Sequence, residues 1–193
     1  MPRIETDSLA QHRDWRRNQL IEAAAAIALE SGGDAITVAA VAQRAGLSRT
    51  SVYEYFASSS DLIADLVIDE LDTFAHVLTK AIGDARDPYA ALELWIATSL
   101  NYVADGRHLL AKALNAAHLP TERSSAIGSA HRSLLAPLTH NLKEIGVEDI
   151  AQALTLLQSA TDVATKRIEN GNDAEREILK TTAFCIAGIR ALI

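Results

Sequence analysis

A group of polar side chains between positions 48 and 55 has the composition of a surface that reads DNA bases. Arg49 can donate two parallel hydrogen bonds to guanine O6 and N7, which makes it the first choice for base reading. Thr50 and Ser51 can read a base edge or hydrogen-bond a phosphate, and the phenol of Tyr53 can reach a phosphate. The group therefore predicts double-stranded DNA as a partner.

Four neighbouring residues extend the predicted DNA contacts. The hydroxyl of Thr37 can hydrogen-bond a phosphate, and Arg44 can add positive charge beside the DNA backbone. Ser48 is expected to cap a helix first, whatever else it contacts. Tyr55 is explained equally well as a half-buried aromatic residue and as a phosphate contact, so both alternatives stay open.

The segment from Thr37 to Phe56 (TVAAVAQRAGLSRTSVYEYF) predicts two short helices joined by a tight turn. Gly46 falls in the turn, where a left-handed backbone conformation suits glycine. The residues expected to form the small core are Val38, Val41, Ala42, Ala45, Leu47, Val52 and Phe56. This helix-turn-helix can place its second helix in a major groove. A helical hairpin without a DNA role would show the same core pattern.

The composition of the whole chain predicts an all-α fold. Alanine is abundant, aromatic residues make up only 5%, and the 193 residues include 9 glycines and 4 prolines. Periodicity and capping signals predict about nine helices, at about 14–31, 38–45, 48–56, 60–85, 88–103, 107–117, 121–146, 148–169 and 173–192, after a loose arm at 1–12. We predict a DNA-binding domain at 1–58 and an effector-binding and dimerisation domain at 59–193.

Charge is distributed unevenly along the chain, whose formal net charge is −7. Residues 1–60 hold six basic and seven acidic side chains, whereas residues 61–193 hold 12 and 18. An acidic C-terminal part that follows a nearly neutral N-terminal part argues against a protein that coats nucleic acid. This distribution suits a protein that binds specific DNA through a small positively charged surface. Charges scattered without function would give the same totals.

Several other classes of protein find little support in the sequence. A single cysteine, Cys185, lies in an apolar stretch and is expected to be buried. The histidines lack the spacing of a helical zinc site, so we expect neither a metal nor a cofactor. No catalytic triad or phosphate-binding loop is recognisable, which argues against an enzyme. No apolar run is long enough to span a membrane, and a cytoplasmic protein is the default expectation.

The N-terminal quarter of the chain resembles the tetracycline-repressor (TetR) family of regulators. The matching elements lie within residues 16–62: Arg17 to Ala24, Gly33, Thr37-Val38, Val41-Ala42, Ala45-Gly46-Leu47-Ser48, Ser51-Val52-Tyr53, Tyr55-Phe56 and Asp61-Leu62. The family usually has a lysine at the start of the fourth helix, where this chain has Ser59. A serine can hydrogen-bond a phosphate there, but it supplies no charge.

The resemblance implies a homodimeric repressor that a small-molecule effector releases from a palindromic operator. It implies nine helices, an effector cavity among helices four to seven, and a dimer built from the last two helices. It places Thr37, Tyr53 and residues 48–51 at the DNA. The alternative is a helical protein-interaction module whose helix-turn-helix does not read DNA.

Three residues of the C-terminal part combine apolar surface with polar groups that suit an effector pocket: Trp95, Tyr102 and His108. Ordinary burial in the core explains each of them equally well. The last two helices carry many apolar residues, including Ala153, Leu157 and Ile189, and many of the set are small, which favours packing against a second copy. Burial within one chain is the competing explanation.

Overall fold

The computed structural model describes residues 6–83, 85–114 and 121–193, with residues 6–10 described by their backbone. These ranges contain nine α-helices and no strand, so the all-α prediction is confirmed. The helices are α1 (Thr6–Ser31), α2 (Val38–Arg44), α3 (Arg49–Tyr53), α4 (Ser59–Ile82), α5 (Pro88–Ala104), α6 (Leu109–Leu114), α7 (Ser124–Ile145), α8 (Ile150–Glu169) and α9 (Ala174–Arg190). Short 3₁₀ turns at Gly33–Ala35 and Thr121–Arg123 precede α2 and α7.

Several of the predicted helix boundaries need correction. Helix α3 ends at Tyr53 rather than at about 56, and α4 ends at Ile82 rather than at about 85. Helix α1 begins at Thr6, so the loose arm predicted over residues 1–12 is wrong from residue 6 onwards. No glycine or proline stands between Thr6 and Ser31, and the leucine, alanine and glutamine ahead of residue 12 favour helix, so the helix extends towards the N-terminus. The sixth helix begins at Leu109 rather than about 107, and its predicted end near 117 lies outside the described residues.

The described residues form two compact units, the first comprising 6–70 and 109–128 and the second 71–108 and 129–193. This packing division differs from the predicted boundary after residue 58, because the first part of α4 packs into the core of the first unit. That core joins residues of α1 to α4, including Leu20, Val41, Val52 and Leu62, all of them fully buried. The assignment of functions to residues 1–58 and 59–193 stays a prediction.

The second unit has its own apolar core, built from the end of α4 and from α5, α7, α8 and α9. Leu78, Leu92, Leu138 and Leu142 are among its fully buried residues. Cys185 is also buried there, as predicted, and burial raises the pKa of its thiol to about 11. None of the described helices is long and apolar enough to cross a membrane.

Candidate nucleic-acid interface

The turn between α2 and α3 closes through the hydrogen bonds that commonly end a helix at glycine. The N–H of Leu47 donates to the carbonyl of Ala42 over 2.9 Å, and the N–H of Gly46 donates to Gln43 over 3.3 Å. Gly46 has a φ of 67°, in the left-handed region that a side chain would make costly. The glycine predicted in the turn therefore sets the direction in which α3 leaves α2.

Both short helices begin with the predicted hydroxyl caps. The Thr37 Oγ1 accepts from the N–H of Ala40, and the Ser48 Oγ accepts from the N–H of Ser51, each over 3.1 Å. A cap of this kind stabilises a helix by about 1 kcal/mol, which matters for helices this short. Thr37 and Ser48 are themselves exposed, so their hydroxyl groups remain reachable from outside.

Helix α3 buries one side chain and presents its other side to solvent. Val52 is fully buried and anchors the helix on the core. Arg49 and Thr50 are exposed, and the Tyr53 ring is 58% exposed. Within the described ranges no acidic side chain pairs with Arg49. The helix thus offers an arginine, a threonine and a tyrosine on a firmly held surface.

Arg44 is engaged by a carboxylate on α1. Its guanidinium donates to both carboxylate oxygens of Glu30, over 2.6 and 2.5 Å. The hydrogen bonds from Arg44 lower the pKa of the Glu30 carboxyl below its usual value. The pair neutralises the charge that was predicted to assist phosphate binding, so Arg44 would have to leave Glu30 to contact DNA.

Two further predicted residues lie at the edge of this surface. The Tyr55 ring is half-buried and packs against the first unit's core, and the residue borders a shallow surface hollow with Arg13 and Arg16. Ser59 lies half-buried in the first turn of α4. That turn is capped by Ser58, whose Oγ accepts from the N–H of Asp61 over 3.0 Å.

A cluster of charged side chains holds α1, the start of α4 and the turn before α7 together within the first unit. Asp65 of α4 accepts hydrogen bonds from Arg17, over 2.5 Å, and from Arg123. Arg123 also donates to Asp61 over 2.9 Å. The side chains of Asp61 and Asp65 are 25% and 15% exposed, so the cluster is partly shielded from water. The bonded partners lie 48 to 62 residues apart in the chain, so no local sequence pattern indicates the cluster.

A partly open cavity of about 200 Å³ lies in the second unit. Its walls come from α4, α5, α7 and α8, whereas helices four to seven were expected. Leucines, Phe74 and Trp95 form most of the wall, and a few polar residues complete it. The lining residues are Phe74, Trp95, Ser99, Leu100, Val103, His131, Leu134, Leu135, Leu138, Leu154, Leu157, Gln158, Thr161, Asp162 and Thr165.

The structure brings only one of the three predicted effector residues to this cavity. Trp95 is 8% exposed, and its indole Nε1 has no hydrogen-bond partner among the described residues. Tyr102 stacks beside Phe74, with ring centroids 4.6 Å apart, and lies under the Arg107 guanidinium. His108 bonds through Nε2 to Glu169 over 2.8 Å. Neither Tyr102 nor His108 lines the cavity.

A larger groove of about 700 Å³ runs between α5 and α9 and is open to solvent. Leu94 and Leu179 line it together with polar residues such as Glu93 and Glu175. A small molecule in this groove would stay in contact with water on one side, whereas effector sites bury most of their ligand. The smaller and less open cavity is therefore the better candidate for a ligand site.

Helices α8 and α9 carry apolar residues on two faces. The residues predicted to meet a second copy, such as Ala153, Leu157 and Ile189, are buried within the second unit, so for them the competing explanation is correct. A second set remains exposed: Leu156 is 53% exposed and Phe184 is 70% exposed. Both border a small apolar hollow of about 110 Å³, with Gly188, Cys185 and Leu192 among its other lining residues.

The first unit thus has the features of a helix-turn-helix DNA-binding protein: a capped second helix held on a core, with an arginine facing outward. Residues 20–66 match the sequence profile of bacterial regulatory proteins of the tetR family. The HTH-type transcriptional repressor KstR of Mycolicibacterium smegmatis is 25% identical over 172 residues, which span 80% of this chain and 83% of KstR. The HTH-type transcriptional repressor Rv1474c of Mycobacterium tuberculosis is 32% identical over 104 residues, about half of each chain (52% and 54%).

Solved structures agree on the fold. The transcriptional regulator FadR from Bacillus subtilis, in complex with stearoyl-CoA, superposes with a TM-score of 0.72 at 22% identity, covering 88% of this chain and 97% of FadR. Residues 20–66 of this chain therefore form a DNA-binding region of the tetR type, and the relatives that the chain resembles are transcriptional repressors. The resemblance in the sequence is thereby confirmed.

Proposed function

We propose that this chain is a homodimeric repressor that binds a palindromic operator through α3 and leaves it when a small molecule fills the cavity of the second unit. One observation carries the DNA-binding part of the proposal: α3 is anchored by buried Val52 and presents Arg49, Thr50 and Tyr53 outward. The names of the two mycobacterial relatives, both transcriptional repressors, support repression rather than activation.

The proposed division of roles follows from the chemistry of each side chain. Arg49 reads a guanine, and Thr50 and Ser51 contact a neighbouring base edge or phosphate. Thr37 and Tyr53 hold phosphates on either side of α3 and so fix its register in the groove. We leave Arg44 out of the phosphate contacts because Glu30 already neutralises it.

Binding to a palindrome requires two copies of the chain. In the dimer, two copies of α3 must lie about 34–36 Å apart, or a multiple of that distance, to enter successive major grooves on one side of the DNA. The exposed apolar patch around Leu156 and Phe184 on α8 and α9 is the proposed contact between the copies.

Release by an effector requires the cavity to influence α3. Helices α4 and α7 each have residues in both units: Asp65 of α4 belongs to the charged cluster, and Phe74 of α4 lines the cavity. Arg123, just before α7, belongs to the cluster, and Leu134 of α7 lines the cavity. A ligand that prefers one arrangement of these two helices would shift the population of DNA-binding conformations.

The operator can be identified by selecting the fragments of the source genome that the purified protein retains. A mobility-shift titration of the recovered fragment at several salt concentrations then measures affinity and its salt dependence. We expect tight binding that weakens linearly with the logarithm of salt concentration. Failure to bind any duplex, or binding that salt does not affect, would favour the protein-interaction module.

Arg49→Ala tests the reading role on the recovered fragment. Loss of a bidentate guanine contact should weaken specific binding by about 1–3 kcal/mol per half-site and relax the preference at one base pair. Arg132→Ala makes the same change of charge at an exposed position on α7 and should leave binding within twofold. Equal effects of the two substitutions would remove Arg49 from the proposal.

A further inference from the structure

The size of the cavity limits the ligands that it can enclose. Its volume of about 200 Å³ lies below the roughly 300–1,000 Å³ of pockets for drug-sized ligands. An apolar cavity of about 150 Å³ holds a benzene molecule. The buried part of the cavity therefore has room for about one ring with a short substituent.

The charges of the lining residues exclude a second group of ligands. Among the residues that line the cavity, the only ionisable ones are His131 and Asp162, and both are exposed at its polar end. No arginine or lysine is available to pair with a carboxylate or a phosphate. An anion could enter only with its charge left at this end, beside the Asp162 carboxylate and with no arginine or lysine to pair with it, which is unfavourable.

Hydrogen-bonding groups in the wall point to the polar feature that the ligand carries. The hydroxyls of Ser99 and Thr161 already donate to carbonyls of their own helices, over 2.8 and 3.0 Å. The indole N–H of Trp95 is buried without an acceptor within the described part of the chain. A buried donor left unpaired is destabilising, and a ligand acceptor would recover that cost.

We infer that the effector is a small, largely apolar molecule of about one ring, without negative charge, which accepts a hydrogen bond from the Trp95 indole. Ketones, esters and ethers of this size meet these requirements. The inference rests on the proposed role of the cavity as the effector site. It distinguishes this chain from the neighbour FadR, whose structure holds stearoyl-CoA, because coenzyme A carries phosphates.

Three probes of similar shape separate the requirements: acetophenone, its apolar analogue ethylbenzene, and benzoate. Isothermal titration calorimetry of the full chain at pH 8 measures the affinity for each. We expect acetophenone to bind about tenfold more tightly than ethylbenzene, because only the ketone can pair with the indole N–H. Benzoate should bind at least a hundredfold more weakly than acetophenone. Tighter binding of benzoate, or no binding by any probe, would overturn the inference.

Trp95→Phe removes the N–H and keeps an aromatic ring in the wall. The tenfold preference for acetophenone over ethylbenzene should fall to less than threefold, while ethylbenzene itself still binds. Trp15→Phe is the matched control, because Trp15 lies on α1 in the first unit and is 55% exposed. A preference that survives Trp95→Phe unchanged would show that another group donates to the ketone oxygen and would contradict the role of Trp95.

A mobility-shift assay with the same probes separates this inference from the proposed function. Acetophenone that binds in calorimetry and displaces the operator supports both. Acetophenone that binds with the expected preferences but leaves the DNA complex intact supports the ligand class and contradicts effector release. Release of the operator by benzoate alone would support effector release and contradict the inferred ligand class.

Discussion

At the scale of single residues, Ser59 stands where the TetR family usually has a lysine, and measurements of DNA affinity can test the effect of this difference. It lies in the first turn of α4, close in sequence to the reading helix, and it carries no charge. A lysine at this position would add one phosphate contact in each half-site.

Ser59→Lys should therefore tighten operator binding and steepen its salt dependence. Each new charge on a phosphate adds about 0.9 to the slope of log affinity against log salt concentration, so a dimer gains about two. Mobility-shift titrations between 50 and 200 mM salt measure the slope.

Ser133→Lys is the control for Ser59→Lys, because it adds the same charge at an exposed position on α7, in the second unit and away from the proposed dimer contact. Its salt slope should match that of the unsubstituted chain. Equal slopes for all three proteins would mean that residue 59 does not face a phosphate.

The residues that the sequence located well are those whose roles depend on near neighbours in the chain. Ser48 was expected as a cap, and its partner Ser51 is only three positions away. Arg44 was expected near phosphates, but its partner Glu30 lies 14 positions earlier on another helix. Tyr102 and His108 have the composition of a pocket, yet only the packing of four helices decides that Trp95 alone among these candidates lines it.

At the scale of elements, the number and order of the helices were predictable because each helix carries local start and stop signals. Asp87 caps α5 by accepting from the N–H of Ala90 over 2.8 Å, and Pro88 follows at the first helical position, as the sequence indicated. The contribution of α8 to the cavity was not predictable, because its periodicity reports an apolar face without saying which helices that face meets.

The charged cluster around Asp65 gives a prediction about how α4 and α7 act together. Arg123→Met removes the hydrogen bonds to Asp61 and Asp65 and keeps the length of the side chain. Acetophenone should still bind in calorimetry, but it should displace operator DNA at least fivefold less effectively, because coupling between two sites typically amounts to a factor of 5–150.

Arg132→Met, at an exposed position on α7 itself, should leave displacement unchanged. If Arg123→Met also leaves displacement unchanged, the cluster stabilises the first unit without carrying the signal. If Arg123→Met also abolishes acetophenone binding, the substitution has disrupted the cavity rather than the coupling between the cavity and DNA.

The pair between Arg167 of α8 and Glu177 of α9 predicts a dependence of stability on pH. Arg167 donates to both carboxylate oxygens of Glu177, each over 2.8 Å, and these hydrogen bonds lower the pKa of Glu177 below its usual value of 4.5. A lowered pKa in the folded state means that the contribution is fully present above pH 4.5. It is lost as the pH falls through the folded-state pKa.

Glu177→Gln should therefore lower the urea midpoint of unfolding by a constant amount between pH 6 and pH 8. The difference from the unsubstituted chain should shrink below about pH 4.5. Glu175→Gln, on the same helix at an exposed position, serves as the control. A difference that stays the same down to pH 3 would mean that the charge of Glu177 does not contribute.

At the scale of the whole molecule, assembly into a dimer decides whether two copies of α3 can read one operator. Leu157 and Ile189 are buried inside the second unit, and this is the reason why the apolar pattern of α8 and α9 alone could not distinguish internal packing from assembly. The exposed residues beside them, Leu156 and Phe184, indicate the face that can meet a second copy. Gly188 has open space on its outer side, so a helix of a second copy can approach closely there.

Phe184→Glu places a charge at the centre of this patch and should convert the dimer to a monomer without unfolding it, since the side chain is already 70% exposed. Sedimentation velocity measures the change in mass, and circular dichroism at 222 nm checks that the helices persist. Because two linked half-sites bind far more tightly than one, operator affinity should fall at least a hundredfold. Leu109→Glu changes an exposed leucine outside the last two helices and should leave the dimer intact. A Phe184→Glu variant that remains a dimer would contradict the proposed contact and would direct the search to the open groove between α5 and α9, where Leu179 is exposed.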